Sequence, residues 1–315
     1  MIQFFDKEAE PQTDEPEKTS YGQKVFEMVK GINIEFGKKK KAKEDGTTEK
    51  MKKRKWDMME EEQPLVTAVP FKKQSCFFKY LSYWKDLDTP HAIDCMHLSK
   101  NVFESTAGIL LDMKTKTKDG LKSRQDLVNL DIRPELHPTP SAQSGKMDLP
   151  GASYNLTTKE KRAVCQWLRA VKVPTDFSSN IKSLVSMKDL TLTSFNAHDF
   201  HIMLTVFLPI VIRAISPQYV KKVITRLSYF FNWITQKVID EAELPGVKQF
   251  IAETICQLEM CFPPSYFDIM PHLMMHMVDQ IQDLGPVYLH QMWTYERFMS
   301  TLIDTSITML TQRAR

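Results

Sequence analysis

Asp94 and His97 stand three residues apart inside HAIDCMHL, residues 91–98. A carboxylate and an imidazole at that spacing are either half of a metal-dependent active site or polar neighbours that merely pack. Two further histidine pairs have helical spacing. HDFH places His198 and His201 one turn apart, and HLMMH places His272 and His276 at i and i+4 on one face. The second pair has the spacing of a zinc helix, but H-E-x-x-H needs a glutamate second and Leu273 stands there. With no third ligand in view, these histidines read as core or rim residues. Ten glycines in 315 residues form no phosphate-binding loop, and no G-x-S-x-G is present.

Basic residues cluster twice, at Lys38, Lys39, Lys40, Lys41 and Lys43, and again at Lys50, Lys52, Lys53, Arg54 and Lys55. The pair reads as a bipartite nuclear-import signal or an arm touching nucleic-acid phosphates, and equally as a solvated charge run. A net charge of only +3 argues against a uniformly basic nucleic-acid binder, so attraction to DNA must be local.

The elements that must position these residues are mainly helical. Hydrophobic residues make up 42% and charged residues 26%, ordinary for a soluble globular chain. Five cysteines form no CxxC pair, which suits a reducing compartment. The acidic N-terminus lacks a signal-peptide core, and the most apolar stretch, IMLTVFLPIVIRAI, is too short to span a bilayer and reads as a buried helix. No membrane partner is expected.

Residues 1–70 read as a disordered acidic and basic segment with a short helix near 21–34. Residues 71–135 are expected to hold a short strand or turn around 76–97, then helices from Ser99 and from Leu121 to Leu130, joined by a polar linker, KTKTKDG. Residues 136–154 read as a linker. Residues 155–303 read as an all-α domain, opened by a Thr157–Glu160 capping box, with Asn196 capping the helix that carries Phe200, Leu204, Phe207 and Val211. Residues 304–315 form a divergent tail.

Several long runs carry a resemblance: LSYWKDLDTPHAIDCMHLSKNV, TKTKDGLKSRQDLVNLDIR, VKVPTDFSSNIKSLVSMKDLTL, AHDFHIMLTVFLPIVIRAI and CQLEMCFPPSYFDIMPHL. In this order, over about residues 20 to 300, the chain resembles the transposases of plant CACTA (En/Spm-like) elements. The part after residue 155 is similar to that family's helical C-terminal domain, often described only as a domain of unknown function.

The resemblance implies a partial RNase H-like remnant and ancestral metal-dependent DNA cleavage and strand transfer in the nucleus. Its partners would be DNA and other transposon-encoded proteins. Such enzymes hold two Mg²⁺ or Mn²⁺ ions with three carboxylates, one of them bridging. Asp94 maps onto the second carboxylate and so onto a metal ligand, with His97 auxiliary to it. Glu296 in WTYERFMS maps onto the third, with Arg297 beside it.

The first aspartate has no counterpart, Ser99 stands where the family has an acid, and STLIDTSITMLTQRAR departs from the family pattern. The expectation is an internal piece of a transposase with both ends lost, inactive as this chain. A domesticated helical interaction module is the alternative, and an active metal-dependent nuclease ranks last.

Overall fold

Helical spacing of apolar residues governs nearly every element of the computed structural model, which describes residues 22–32, 75–114, 116–140, 147–174, 180–193, 195–214 and 217–313. The lysine clusters lie outside the described residues. The chain divides into two units, residues 1–91 and 92–315.

In the first unit, α1 (Gly22–Val29) buries Val29, and its Phe26 ring lies 6.2 Å from Phe78. Where a short strand or turn is expected around 76–97, the chain instead opens with a helix, α2 (Cys76–Tyr80), followed by a 3₁₀ turn at Trp84–Asp86. Two local causes favour it. The Ser75 hydroxyl accepts from the Phe77 amide at 3.2 Å, capping the first turn, and one helical turn buries Phe78 while Phe77 stacks on Trp84 at 4.6 Å.

The second unit opens with α3 (Cys95–Leu110) and α4 (Leu121–Asn129). A minimal antiparallel pair follows, β1 (Thr139–Pro140) with β2 (Met147–Asp148), and then α5 (Thr158–Ala170). A second pair, β3 (Val185–Ser186) with β4 (Thr191–Leu192), leads into α6 (Ala197–Ile202). A π-helical turn at Met203–Phe207 joins α6 to α7 (Leu208–Val211). The rest is helix: α8 (Gln218–Ile234), α9 (Leu244–Cys261), α10 (Ile269–Leu284) and α11 (Trp293–Arg313). The architecture is mainly α. Both strand pairs are two residues long, and the described residues show no RNase H-like sheet.

One hydrophobic cluster runs through this unit. Leu98 of α3, Leu168 of α5, Leu204, Phe230 of α8, Leu258 of α9 and Met274 of α10 are all essentially inaccessible. The capping boxes form as their sequences suggest: Thr157 with Glu160, and Asn196 with Asp199. Phe200, Leu204 and Phe207 are buried as the periodicity requires, with Val211 packed beside them.

Pro209 explains the π turn between them. A proline has no N–H, so the Thr205 carbonyl loses its i+4 donor. The Asn232 amide of α8 donates to that carbonyl at 2.8 Å instead, and the Leu208 amide reaches back five residues to Met203.

Residues 116–119 of the expected KTKTKDG linker are tied down. Lys116 pairs with Glu104 at 2.5 Å, Lys118 pairs with Asp268, and Asp119 is 7% exposed. The segment so fixed passes α3 at Gly108, where a Cβ would sit 2.5 Å from the Lys116 carbonyl oxygen. Only glycine admits that approach. α10 ends at Gly285 with φ +79°, a left-handed stop.

Candidate functional site

Asp94 is the N-cap of α3. The residue is extended, and its Oδ1 accepts from the amides of Met96 at 2.9 Å and His97 at 3.2 Å. Its Oδ2 pairs with His97 Nδ1. Both carboxylate oxygens are therefore engaged by the first turn of the helix, whose free amides and dipole favour a negative charge there. One residue earlier, the Ile93 amide donates to Gln280 Oε1 of α10 at 2.8 Å, which fixes the entry of the chain into α3. The D-x-x-H spacing closes an N-terminal cap.

The two other distinctive positions on α3 face inward. Ser99 is 2% exposed and its hydroxyl donates to the Cys95 carbonyl at 2.7 Å. Burial pushes the Cys95 thiol up to about 12, so it has no thiolate character. All five cysteines are free.

Glu296 lies elsewhere in the unit, in the first turn of α11. It lines an open cleft with Asn196, Ala197, His198, Trp293 and Arg297. Arg297 stands beside Glu296 as the sequence order implies, while Asp94 is not among the lining residues. The organising side chain here is Trp293, which sequence reasoning passed over. Its ring meets His198 edge-on at 5.7 Å and His201 at 5.6 Å, and its indole N–H is buried without a hydrogen-bond partner among the described residues. The signal that pointed to it was the one-turn spacing of HDFH, which places both imidazoles on one side of α6. Burial, helped by the neighbouring His198, lowers the His201 pKa to about 4 and keeps its ring neutral.

These positions do not fit a two-metal carboxylate centre. Asp94 accepts from the first turn of its own helix through both oxygens, and Glu296 lines a cleft whose lining does not include Asp94. Among the described residues no group of three His, Cys, Asp or Glu side chains could hold a metal ion.

The TKTKDGLKSRQDLVNLDIR run owes its composition to a buried charge network. Arg124 and Asp119 are 2% and 3% exposed at their side chains. Arg124 Nε and Nη2 donate to the two Asp119 oxygens at 2.5 and 2.7 Å, and its Nη1 donates to the Leu136 carbonyl at 3.1 Å. The Tyr154 hydroxyl donates to the same carboxylate at 2.9 Å. Burial and the Asp119 charge raise the pKa of that phenol. Further on, Arg133, at φ 51°, spreads its guanidinium over the Glu259, Cys261 and Phe262 carbonyls at the end of α9.

The His272–His276 pair of α10 has its two Nε2 atoms 3.0 Å apart, with His276 Nδ1 4.0 Å from Asp279. No helix among the described residues is long and apolar enough to cross a membrane.

Residues 234–308, from the last residue of α8 into α11, match the family model of a domain of unknown function, DUF4218. That domain is typical of plant transposon proteins. The match takes in α9, α10 and Glu296 and covers about a quarter of the chain. Neither a curated protein nor a solved structure matches the chain.

Proposed function

We propose that this chain derives from a CACTA-type DNA transposase, nuclear and ancestrally metal-dependent in cutting and joining DNA, and that it no longer cleaves. The observation that carries the reading is the transposon-associated domain over residues 234–308, following in one chain the runs that hold Asp94 and His97. Loss of cleavage rests on Asp94. Asp94 caps its helix and pairs with His97, and among the described residues no group of three His, Cys, Asp or Glu side chains that could hold a metal ion includes it. Asp94 is then an inherited position in structural use, and Glu296 an inherited position in the Trp293 cleft. Lys38–Lys41 and Lys52–Lys55 would supply residual DNA contacts or import.

A second reading, a helical protein-interaction module without nucleic-acid chemistry, is favoured by one feature. Tyr295, Phe298, Met299 and Leu302 of α11 are all exposed at helical spacing.

One experiment separates these readings. The purified chain is incubated with supercoiled plasmid and Mg²⁺ or Mn²⁺, beside an Asp94→Ala variant, and duplex binding is followed against salt. We expect no metal-dependent nicking by either protein and weak binding that falls steeply with salt, as counterion release requires. Nicking by the parent chain and none by Asp94→Ala would establish a complete active site and overturn the reading. Absence of any duplex binding would favour the interaction module.

A further inference from the structure

The exposed side of α10 presents two imidazoles that meet through like atoms. Nε2 of His272 and Nε2 of His276 are 3.0 Å apart, with the rings inclined at 69°. As a hydrogen bond, this contact uses one lone pair and one proton. As a chelate, it uses both lone pairs.

The distance decides what would fit. With metal–nitrogen bonds of about 2.0–2.1 Å, a separation of 3.0 Å gives an N–metal–N angle of roughly 95°. That is nearer the right angle of a tetragonal ion than the wider angle of a tetrahedral one. Opening the pair by about 0.3 Å would reach the tetrahedral value.

The helix holds the pair in place. Met274 and Met277, which alternate with the histidines around α10, are fully buried and anchor the opposite face. Asp279 Oδ2 lies 4.0 Å from His276 Nδ1, the ring nitrogen that would not ligate, and places a negative charge beside that ring. The other Asp279 oxygen pairs with Lys248 Nζ of α9 at 2.5 Å, so one ammonium opposes the incoming cation while its partner carboxylate offsets it.

We propose that His272 and His276 form a two-imidazole site for a borderline divalent transition metal, Cu²⁺ ahead of Ni²⁺ and Zn²⁺, with water completing the coordination. Imidazole nitrogen suits these ions, and the hard ions Mg²⁺ and Mn²⁺ prefer oxygen. The site is independent of Asp94 and of the ancestral DNA chemistry.

Calorimetric titration of the full chain with Cu²⁺, Ni²⁺ and Zn²⁺, in excess Mg²⁺, tests this. One saturable site is expected, tightest for Cu²⁺, whose paramagnetic resonance spectrum shows two coupled imidazole nitrogens. His272→Ala and His276→Ala, both on the helix surface, should each weaken binding by about tenfold or more, since even orienting partners of a ligand carry that much. Circular dichroism confirms that the variants stay folded. Absence of saturable binding, or binding equal in parent and both variants, overturns the site.

Discussion

At the scale of single residues, Asp94 and Asp119 have opposite weights from those their neighbourhoods suggest. Asp94 sits in the motif that resembles chemistry, yet its contacts are those of a helix cap at the surface. Asp119 sits in a polar run and is buried against Arg124. Asp94→Ala is expected to cost about 1 kcal/mol, the usual value of an N-cap, with Asp94→Asn retaining most of it. Asp119→Ala leaves the Arg124 guanidinium buried without its counter-charge and is expected to cost about 3–5 kcal/mol. Urea unfolding of the three variants ranks them. An Asp94→Ala loss as large as that of Asp119→Ala would contradict the assignment.

At the scale of elements, the segment from Ala197 to Val211 shows how a helix tolerates proline when another helix supplies the missing donor. The Asn232 amide stands in for the N–H that Pro209 lacks, at the Thr205 carbonyl. Asn232→Ala should therefore destabilise the protein by about 1 kcal/mol, one net hydrogen bond. In a Pro209→Ala background the restored amide can serve Thr205 itself, so the same Asn232→Ala change should cost markedly less. A double-mutant cycle measures the difference. Equal losses in both backgrounds would show that Asn232 acts only through its contact with the Ser228 carbonyl, 3.2 Å away.

At the scale of the whole molecule, burial of neutral histidine sets a pH dependence. Burial and His198 lower the His201 pKa from 6.5 to about 4, so between these values the unfolded chain takes up a proton that the folded chain refuses. Stability is unaffected well above pH 6.5 and falls as pH drops through that window, by on the order of 3 kcal/mol at its acid end. His290, also lowered by burial, adds to the loss in the same direction. Urea midpoints measured from pH 7 to pH 4 should fall less steeply for His201→Gln than for the parent chain. Parallel curves would place His201 in solvent.

Most elements were legible in the sequence because their causes are local. Periodicity located the helices beginning near 22, 121, 158 and 197, and the Thr157–Glu160 and Asn196 caps could be read because their partners lie three residues away. The helix at 76–80 escaped, since a single turn leaves no period to read and its stability comes from Phe78 packing on Phe26, some fifty residues away. The resemblance singled out Asp94 and Glu296, but residue types in order cannot say whether two carboxylates face one another. Tertiary structure alone decided that Asp94 caps α3 while Glu296 opens into the Trp293 cleft. It also tied residues 116–119 of the expected linker to α3 and α10, with Asp119 inside the protein. Charge in a sequence reads as exposure because an unpaired ion is costly to bury. Only the fold brings Arg124 and Tyr154 to Asp119 and removes that cost.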